Sequence, residues 1–200
     1  MKKMIISTVL VFALLIGFAA CSKGDEPGAK KTVYDTLNAL SEQSYSKIQL
    51  NITSLTGDIE LKANYVLTAN NVTYSIEQLN LLVPDGDLSD TSSDYKTTIQ
   101  GTATVENGKV IKLDGETVDL PEYDELKGAF DFKEGYFKNV QVENGKFSAD
   151  VVSATAFLGT NQNLSNVKLI VAYQESGFEK ITITYQTANS TVTVEYKFEK

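Results

Sequence analysis

From residue 47 onward the chain alternates apolar and polar positions with a period of two. Ile48, Leu50 and Ile52 fall on one side, and Lys47, Gln49, Asn51 and Thr53 on the other, as they would on an extended strand whose successive side chains point to opposite faces. Ile59, Leu61, Ala63, Tyr65 and Leu67 form the next apolar row, followed by Val72, Tyr74 and Ile76. Beyond a long polar loop come Thr97, Ile99, Gly101, Ala103 and Val105, then Ile111 and Leu113. Val140 and Val142 face Phe147, Ala149 and Val151 across a turn. The last three rows are the most regular: Val167/Leu169/Val171/Tyr173, Ile181/Ile183/Tyr185 and Val192/Val194/Tyr196/Phe198.

Turn chemistry separates the rows. Asn107-Gly108 and Asn144-Gly145 are type I′ hairpin signals, because both central residues of that turn need positive φ. Thr56-Gly57-Asp58, Asn70-Asn71, Ser176-Gly177 and Ala188-Asn189 mark further reversals. Tight turns between neighbouring rows predict an antiparallel meander. One stretch has helical spacing instead. Over residues 31–43, Val33, Leu37 and Leu40 recur at i, i+4 and i+7, beside Tyr34 and Ala39. The expected fold class is therefore mainly β, with a small α component. About ten strands form an antiparallel meander curled into a half-barrel or barrel, and one N-terminal helix covers its apolar face or mouth.

The first 30 residues follow another pattern. Lys2 and Lys3 precede an apolar run over residues 5–20, interrupted only by Ser7, Thr8 and Gly17. That run is short for a membrane span, which needs about 20 apolar residues, and suits the apolar region of an export signal. It ends in Phe18-Ala19-Ala20-Cys21. This segment resembles the lipobox of bacterial membrane lipoproteins, although Phe18 stands where that family prefers Leu. The resemblance implies cleavage before Cys21 and acylation of its thiol with palmitate-type chains. It also implies a mature protein held outside the cytoplasm, on the cell membrane or the outer membrane. Residues 1–20 are then the signal peptide and residues 21–30 a lipidated Cys with a polar, Gly- and Pro-containing tether. Residues 31–200 form a single β-rich domain. The nine residues after the Cys span at most about 30 Å, so the domain stays near the bilayer. With a tether, one amphipathic helix and an antiparallel meander, the mature chain also resembles LolA/LppX-like half-barrel lipoproteins. Those proteins hold lipid chains between a curved sheet and a helical lid.

Composition narrows the chemistry. The 200 residues include 26 acidic and 18 basic residues, all of the latter Lys, and no His or Trp. Removing Lys2 and Lys3 with the signal leaves 16 against 26, a net charge of −10. Such a surface repels phosphate backbones and anionic lipid, so nucleic acid is excluded as a partner and the membrane link must be covalent. One cysteine permits no intramolecular disulfide. Without His, the Ser-His and Cys-His nucleophile pairs and His-based metal sites cannot form.

The remaining candidates each have a bland counterpart. Asp85, Asp87, Asp90 and Asp94 crowd one loop but lack the spacing of a calcium loop. They read as a solvated segment, so no metal or cofactor is expected. Tyr123, Phe130, Phe132, Tyr136 and Phe137 would line a ligand mouth or fill the core. The repeat Val105-Glu106-Asn107-Gly108-Lys109 and Val142-Glu143-Asn144-Gly145-Lys146 reflects shared turn chemistry rather than duplication. The four glycosylation sequons, at Asn51, Asn71, Asn163 and Asn189, carry no role in a bacterial lipoprotein.

The functional expectation is a non-enzymatic lipoprotein that binds an apolar ligand, a lipid or an envelope protein partner. Leu50, Tyr65, Leu67, Ile99, Leu169 and Val171 are the apolar side chains expected to face the ligand. The alternative is a structural or surface interaction module with a filled core. A carboxylate-dependent hydrolase is a third reading, for which no residue pair stands out. An interior cavity favours the first, a packed interior the second, and two converging buried carboxylates the third.

Overall fold

The first and last strands of the chain pair in the middle of one sheet, and the rest of the architecture follows from that. The computed structural model describes residues 32–81, 96–106, 109–123, 126 and 129–200. The expected signal, Cys21 and the expected tether lie outside the described residues, as do Asp85 to Asp94 and the expected turn at Asn107-Gly108. Ten strands run in chain order: β1 Lys47–Thr56, β2 Ile59–Leu67, β3 Asn71–Asn80, β4 Lys96–Glu106, β5 Lys109–Gly115, β6 Phe137–Glu143, β7 Lys146–Val151, β8 Ser165–Gln174, β9 Gly177–Gln186 and β10 Ser190–Glu199. Their order in the sheet is β5-β4-β3-β2-β1-β10-β9-β8-β7-β6, and the pairings are antiparallel. The chain winds from the centre out to β5, crosses to the far edge at β6, and winds back in to β10.

The expected meander of ten strands is what forms. A closed barrel is not: β5 and β6 are the two edges and do not pair with each other. Both edge strands carry a one-residue register shift. Ile111 is the extra residue in β5, between Val110 and Lys112. In β6 the shift falls between Lys138 and Gln141, where Asn139 sits at φ 53° and its amide donates to Asp150 (2.7 Å). Bulges break the regular ladder of an edge and oppose pairing with another chain. They let the sheet stay open while presenting Val110, Ile111, Val140 and Val142 at its rims.

Register aligns one side chain per strand into continuous rows. One row crosses all ten strands: Val142, Phe147, Val171, Ile181, Tyr196, Leu50, Tyr65, Tyr74, Gly101 and Gly115. Beside it runs Ala149, Leu169, Ile183, Val194, Ile52, Ala63, Ile76 and Ile99. From Phe147 to Tyr74 the first row, and from Ala149 to Ile76 the second, belong to a single buried cluster, with Ile99 packed against it and Val142 exposed at the rim. The opposite face carries Thr, Asn, Gln, Lys and Glu, with pairs such as Lys180–Glu195 (3.1 Å).

The apolar face is covered by helix α1 (Val33–Ser41), by the connector of residues 116–136 and by the five-residue helix α2 (Ala154–Leu158). Helix α1 begins where Thr32 and Asp35 form a capping box: the Thr32 hydroxyl accepts from the Asp35 N–H, and the Asp35 carboxylate accepts from the Thr32 N–H. It ends two residues short of the predicted stretch at each side. Leu37 and Leu40 point into the core as its spacing required. Helix α2 has no amphipathic repeat long enough to signal it. Phe157 and Leu158, both buried, hold it by packing.

Nine gaps between strands amount to about 43 Å when flat, and 21 extended residues reach about 70 Å, so the connector can bridge the edges. Its contacts march across the sheet. The carbonyl of Glu116 accepts from the Tyr74 hydroxyl on β3. Tyr123 meets Tyr45, two residues before β1. Phe130 packs edge-on against Tyr196 of β10 at 5.5 Å. Phe132 packs edge-on against Phe147 of β7 at 6.3 Å, and its backbone N–H and C=O are both held by the Asn38 amide of α1 (2.8 and 2.9 Å).

Val194 is fully buried in the central register, whereas the neighbouring Thr193 faces Thr53 and Thr184 on the polar side. Val194→Asp places an unpaired carboxylate in the core and should cost about 4 kcal/mol or more, enough to unfold the domain or collapse its yield. Thr193→Asp should cost under about 1 kcal/mol. Urea midpoints of the two variants check this, and equal losses would show the facing to be wrong.

Candidate functional site

Beside β5 the described part of the connector stands off the sheet over a cleft. Two sets of tyrosine hydrogen bonds fix it on either side of that stretch. At its start, Tyr74 donates to the Glu116 carbonyl. Gly101 and Gly115, the two register partners that follow Tyr74 toward the edge, make room for this. A Cβ on Gly101 would overlap the Tyr74 hydroxyl, its ring and the Asp114 carbonyl. Gly115 sits at φ 131°, which L side chains rarely adopt. At the other end, the Tyr123 hydroxyl donates to the Tyr45 carbonyl and accepts from the Tyr45 N–H (3.3 Å). Tyr45 is itself anchored: its hydroxyl donates to the Leu40 carbonyl (3.2 Å) and accepts from the Phe178 N–H (2.8 Å).

Between these pins residues 117–123 arch over a cleft of about 420 Å³. Val72, Val105, Val110 and Leu113 form its sheet side, and Val118, Leu120 and Pro121 its connector side. Thr68 and Ala69, from the β2–β3 turn, close one end. Three charged residues line it as well: Lys109 from β5, and Asp119 and Glu122 from the connector. The size falls within the range of small-molecule sites, and the lining, mostly apolar with few charges, is of their usual kind.

A buried hydroxyl lies on β2 outside the cleft lining, one same-face pair along the ladder from Leu67 and Val72. Tyr65 is fully buried, and its oxygen has no hydrogen-bond partner among the described residues. It neighbours Tyr74 in register. Burial first, then the charges of Asp119 and Tyr74, push its pKa well above the ordinary phenol range. Tyr74 is raised too, chiefly by burial and then by Glu116 and Asp114. Both remain protonated donors at neutral pH.

The six side chains expected to face a ligand are placed as follows. Leu50, Tyr65, Leu67, Leu169 and Val171 are all at most 2% exposed in the core, and Ile99 on β4 packs against it, partly buried. None of the six lines the cleft. Of the five clustered aromatics, Phe130, Phe132 and Phe137 are buried in the core and Tyr136 packs at its margin. Only Tyr123 reaches the cleft. Sequence reasoning missed the cleft because its connector side, residues 117–123, has neither strand nor helix periodicity. The available signal was the Val118, Leu120 and Pro121 group directly after Gly115. Among the described residues no group of three or more His, Cys, Asp or Glu is placed to hold a metal ion, and no helix is long and apolar enough to cross a membrane.

No protein-family model matches the chain, and no curated protein matches it in sequence.

The Tyr74 pin carries a direct consequence. Tyr74→Phe removes one hydrogen bond and leaves the Glu116 carbonyl without its donor, a loss of about 0.5–1.5 kcal/mol. Amide hydrogen exchange should accelerate across residues 117–123 and stay unchanged in β8 to β10. Uniform acceleration over the whole sheet would show that the bond supports the fold generally and not this stretch.

Proposed function

We propose that this chain is an extracytoplasmic lipoprotein, anchored to a membrane through Cys21, whose β domain curls into a half-barrel and binds one apolar ligand or lipid without catalysis. The cleft under residues 117–123 carries the reading. It is a mostly apolar volume of about 420 Å³ at the edge of the sheet, and filling such a volume with a hydrocarbon removes apolar surface from water on both partners. A domain tethered within about 30 Å of a bilayer by nine residues has lipid at hand. The position of the cleft differs from the one the apolar rows suggested: the ligand sits at the β5 edge, not over Leu50 and Leu169. The second reading, an interaction module with a filled core, is favoured by the close aromatic packing beneath β6 to β10. There Phe132, Phe137, Phe147 and Phe157 meet with ring centroids 5.1–6.3 Å apart.

Two measurements test the proposal. Cys21→Ser should abolish incorporation of labelled fatty acid and leave the uncleaved precursor; equal label on both proteins would refute the anchor. The soluble domain, residues 22–200, should enhance the fluorescence of the uncharged probe N-phenyl-1-naphthylamine saturably at micromolar concentration. Leu113→Trp, which fills the cleft from a half-buried position, should weaken the probe at least about tenfold, whereas Ile170→Trp on the opposite, exposed face should not. If no saturable signal develops, the interaction-module reading takes its place.

A further inference from the structure

The two edges of the sheet are its most exposed strands. In β5 only Leu113 is half-buried, and in β6 only Phe137 is buried. Val110, Ile111, Val140 and Val142 make up four of the eight large hydrophobic side chains that stand exposed among the described residues. An edge strand turns backbone N–H and C=O groups outward, so it can take up a further strand. The two edges also match each other in length, with seven residues in each. Successive pairings across the ten strands are antiparallel, so β5 and β6 run in opposite directions. A second copy in the same orientation therefore brings its β5 antiparallel to the β6 of the first. Aligned end to end, Lys109 meets Glu143, Val110 meets Val142 and Asp114 meets Lys138.

Facing agrees as well. Val110 pairs with Val105 and lines the cleft, and Val142 pairs with the buried Phe147, so both lie on the apolar side. Asp114 pairs with Thr102, and Lys138 with Asp150, on the polar side. Residues four apart on a regular strand share a face. The one-residue shift in each edge instead puts Val110 and Asp114 on opposite faces, and Val142 and Lys138 likewise. A regular strand laid against either edge agrees with it at one end and disagrees at the other. The opposite edge, shifted within the same interval, agrees at both ends. We propose that copies of this chain join edge to edge, β5 of one pairing with β6 of the next through Lys109–Glu143, Val110–Val142 and Asp114–Lys138. Opposite charges paired across strands favour the contact, and like charges oppose it. Pairing β5 with a second β5 also sets Lys109 against Asp114, but it leaves Val140 and Val142 uncovered. Copies joined head to tail keep their strand directions, so Thr32 of each lies toward the same end, as chains anchored to one bilayer require. Seven residues a side make a small interface, and anchoring raises the effective concentration at which it forms. The pairing does not depend on the cleft binding a ligand.

Sedimentation velocity of the soluble domain, residues 22–200, which contains every residue of the described fold, tests the pairing. The wild-type sedimentation coefficient should rise as concentration goes from micromolar to millimolar. Asp114→Lys and Lys138→Glu should each weaken association about tenfold, because each sets like charges against one another. The double variant D114K/K138E should associate within about threefold of wild type, since the swapped charges attract again. An equimolar mixture of the two single variants should associate too, because each edge meets the opposite charge on the other variant. All three variants should melt within about 3 °C of wild type, as exposed substitutions do. Neither side chain lines the cleft, so binding of N-phenyl-1-naphthylamine should stay as in wild type. If the probe binds none of the proteins, the ligand reading fails and the edge pairing stands. A wild-type sedimentation coefficient independent of concentration overturns the pairing. So does loss of association in Asp114→Lys alone, the mark of a β5–β5 contact, or failure of both the double variant and the mixture to associate.

Discussion

The pairing of β1 with β10 constrains everything else in this fold. Once the terminal strands meet at the centre of the sheet, the two middle strands, β5 and β6, become its edges. The chain must then travel between those edges, and it does so across the apolar face. The same connector therefore closes the topology and covers the core. Its aromatic residues are spaced so that Tyr123, Phe130 and Phe132 reach the sheet at successive points. The Asn38 amide ties that path to α1 by holding both backbone groups of Phe132. Burying a stretch of irregular backbone demands partners for its polar groups. Asn38, Tyr45 and Tyr74 supply them.

The cleft arises from the same constraint. Near β6 the connector carries Phe130 and Phe132, Phe137 opens β6 beside them, and their rings pack with Phe147 and Phe157. Near β5 its inward residues are Val118, Leu120 and Pro121, which are shorter. The sheet beneath them ends in Gly101 and Gly115, in the row where the other strands place Phe147, Tyr196 or Tyr65. A long ring, Tyr74, reaches over these glycines to fix the connector, and Tyr123 borders the remaining volume without filling it. The asymmetry of the connector's composition thus yields a dense half and an open half.

Much of the fold was legible because its signals are local. Period-two alternation located the ten strands, and Asn144-Gly145 adopted positive φ at both residues, 47° and 73°, as its turn type requires. Leu37 and Leu40 identified the buried side of α1. What could not be read depends on distant partners. Nothing in residues 116–136 has a period, because each residue answers to a different strand. The bulges at Ile111 and Asn139 appear only against a neighbouring strand's register. Alternation named Leu50, Tyr65 and Leu169 as inward-facing, which they are, but facing inward does not distinguish a wall of packed core from a wall of open cleft. That distinction belongs to the covering layer. The chain lacks His, and alternation alone singles out no pair among its carboxylates.

The central claim is that an apolar ligand occupies the space between β5 and residues 117–123. Amide chemical-shift mapping of the isotope-labelled soluble domain during titration with monolaurin tests it most directly. Saturable shifts should be confined to Thr68, Ala69, Val72, Val105 and residues 109–123, with β7 to β9 unmoved. Shifts centred on Leu169, Val171 and Phe147, or none that saturate, would contradict it.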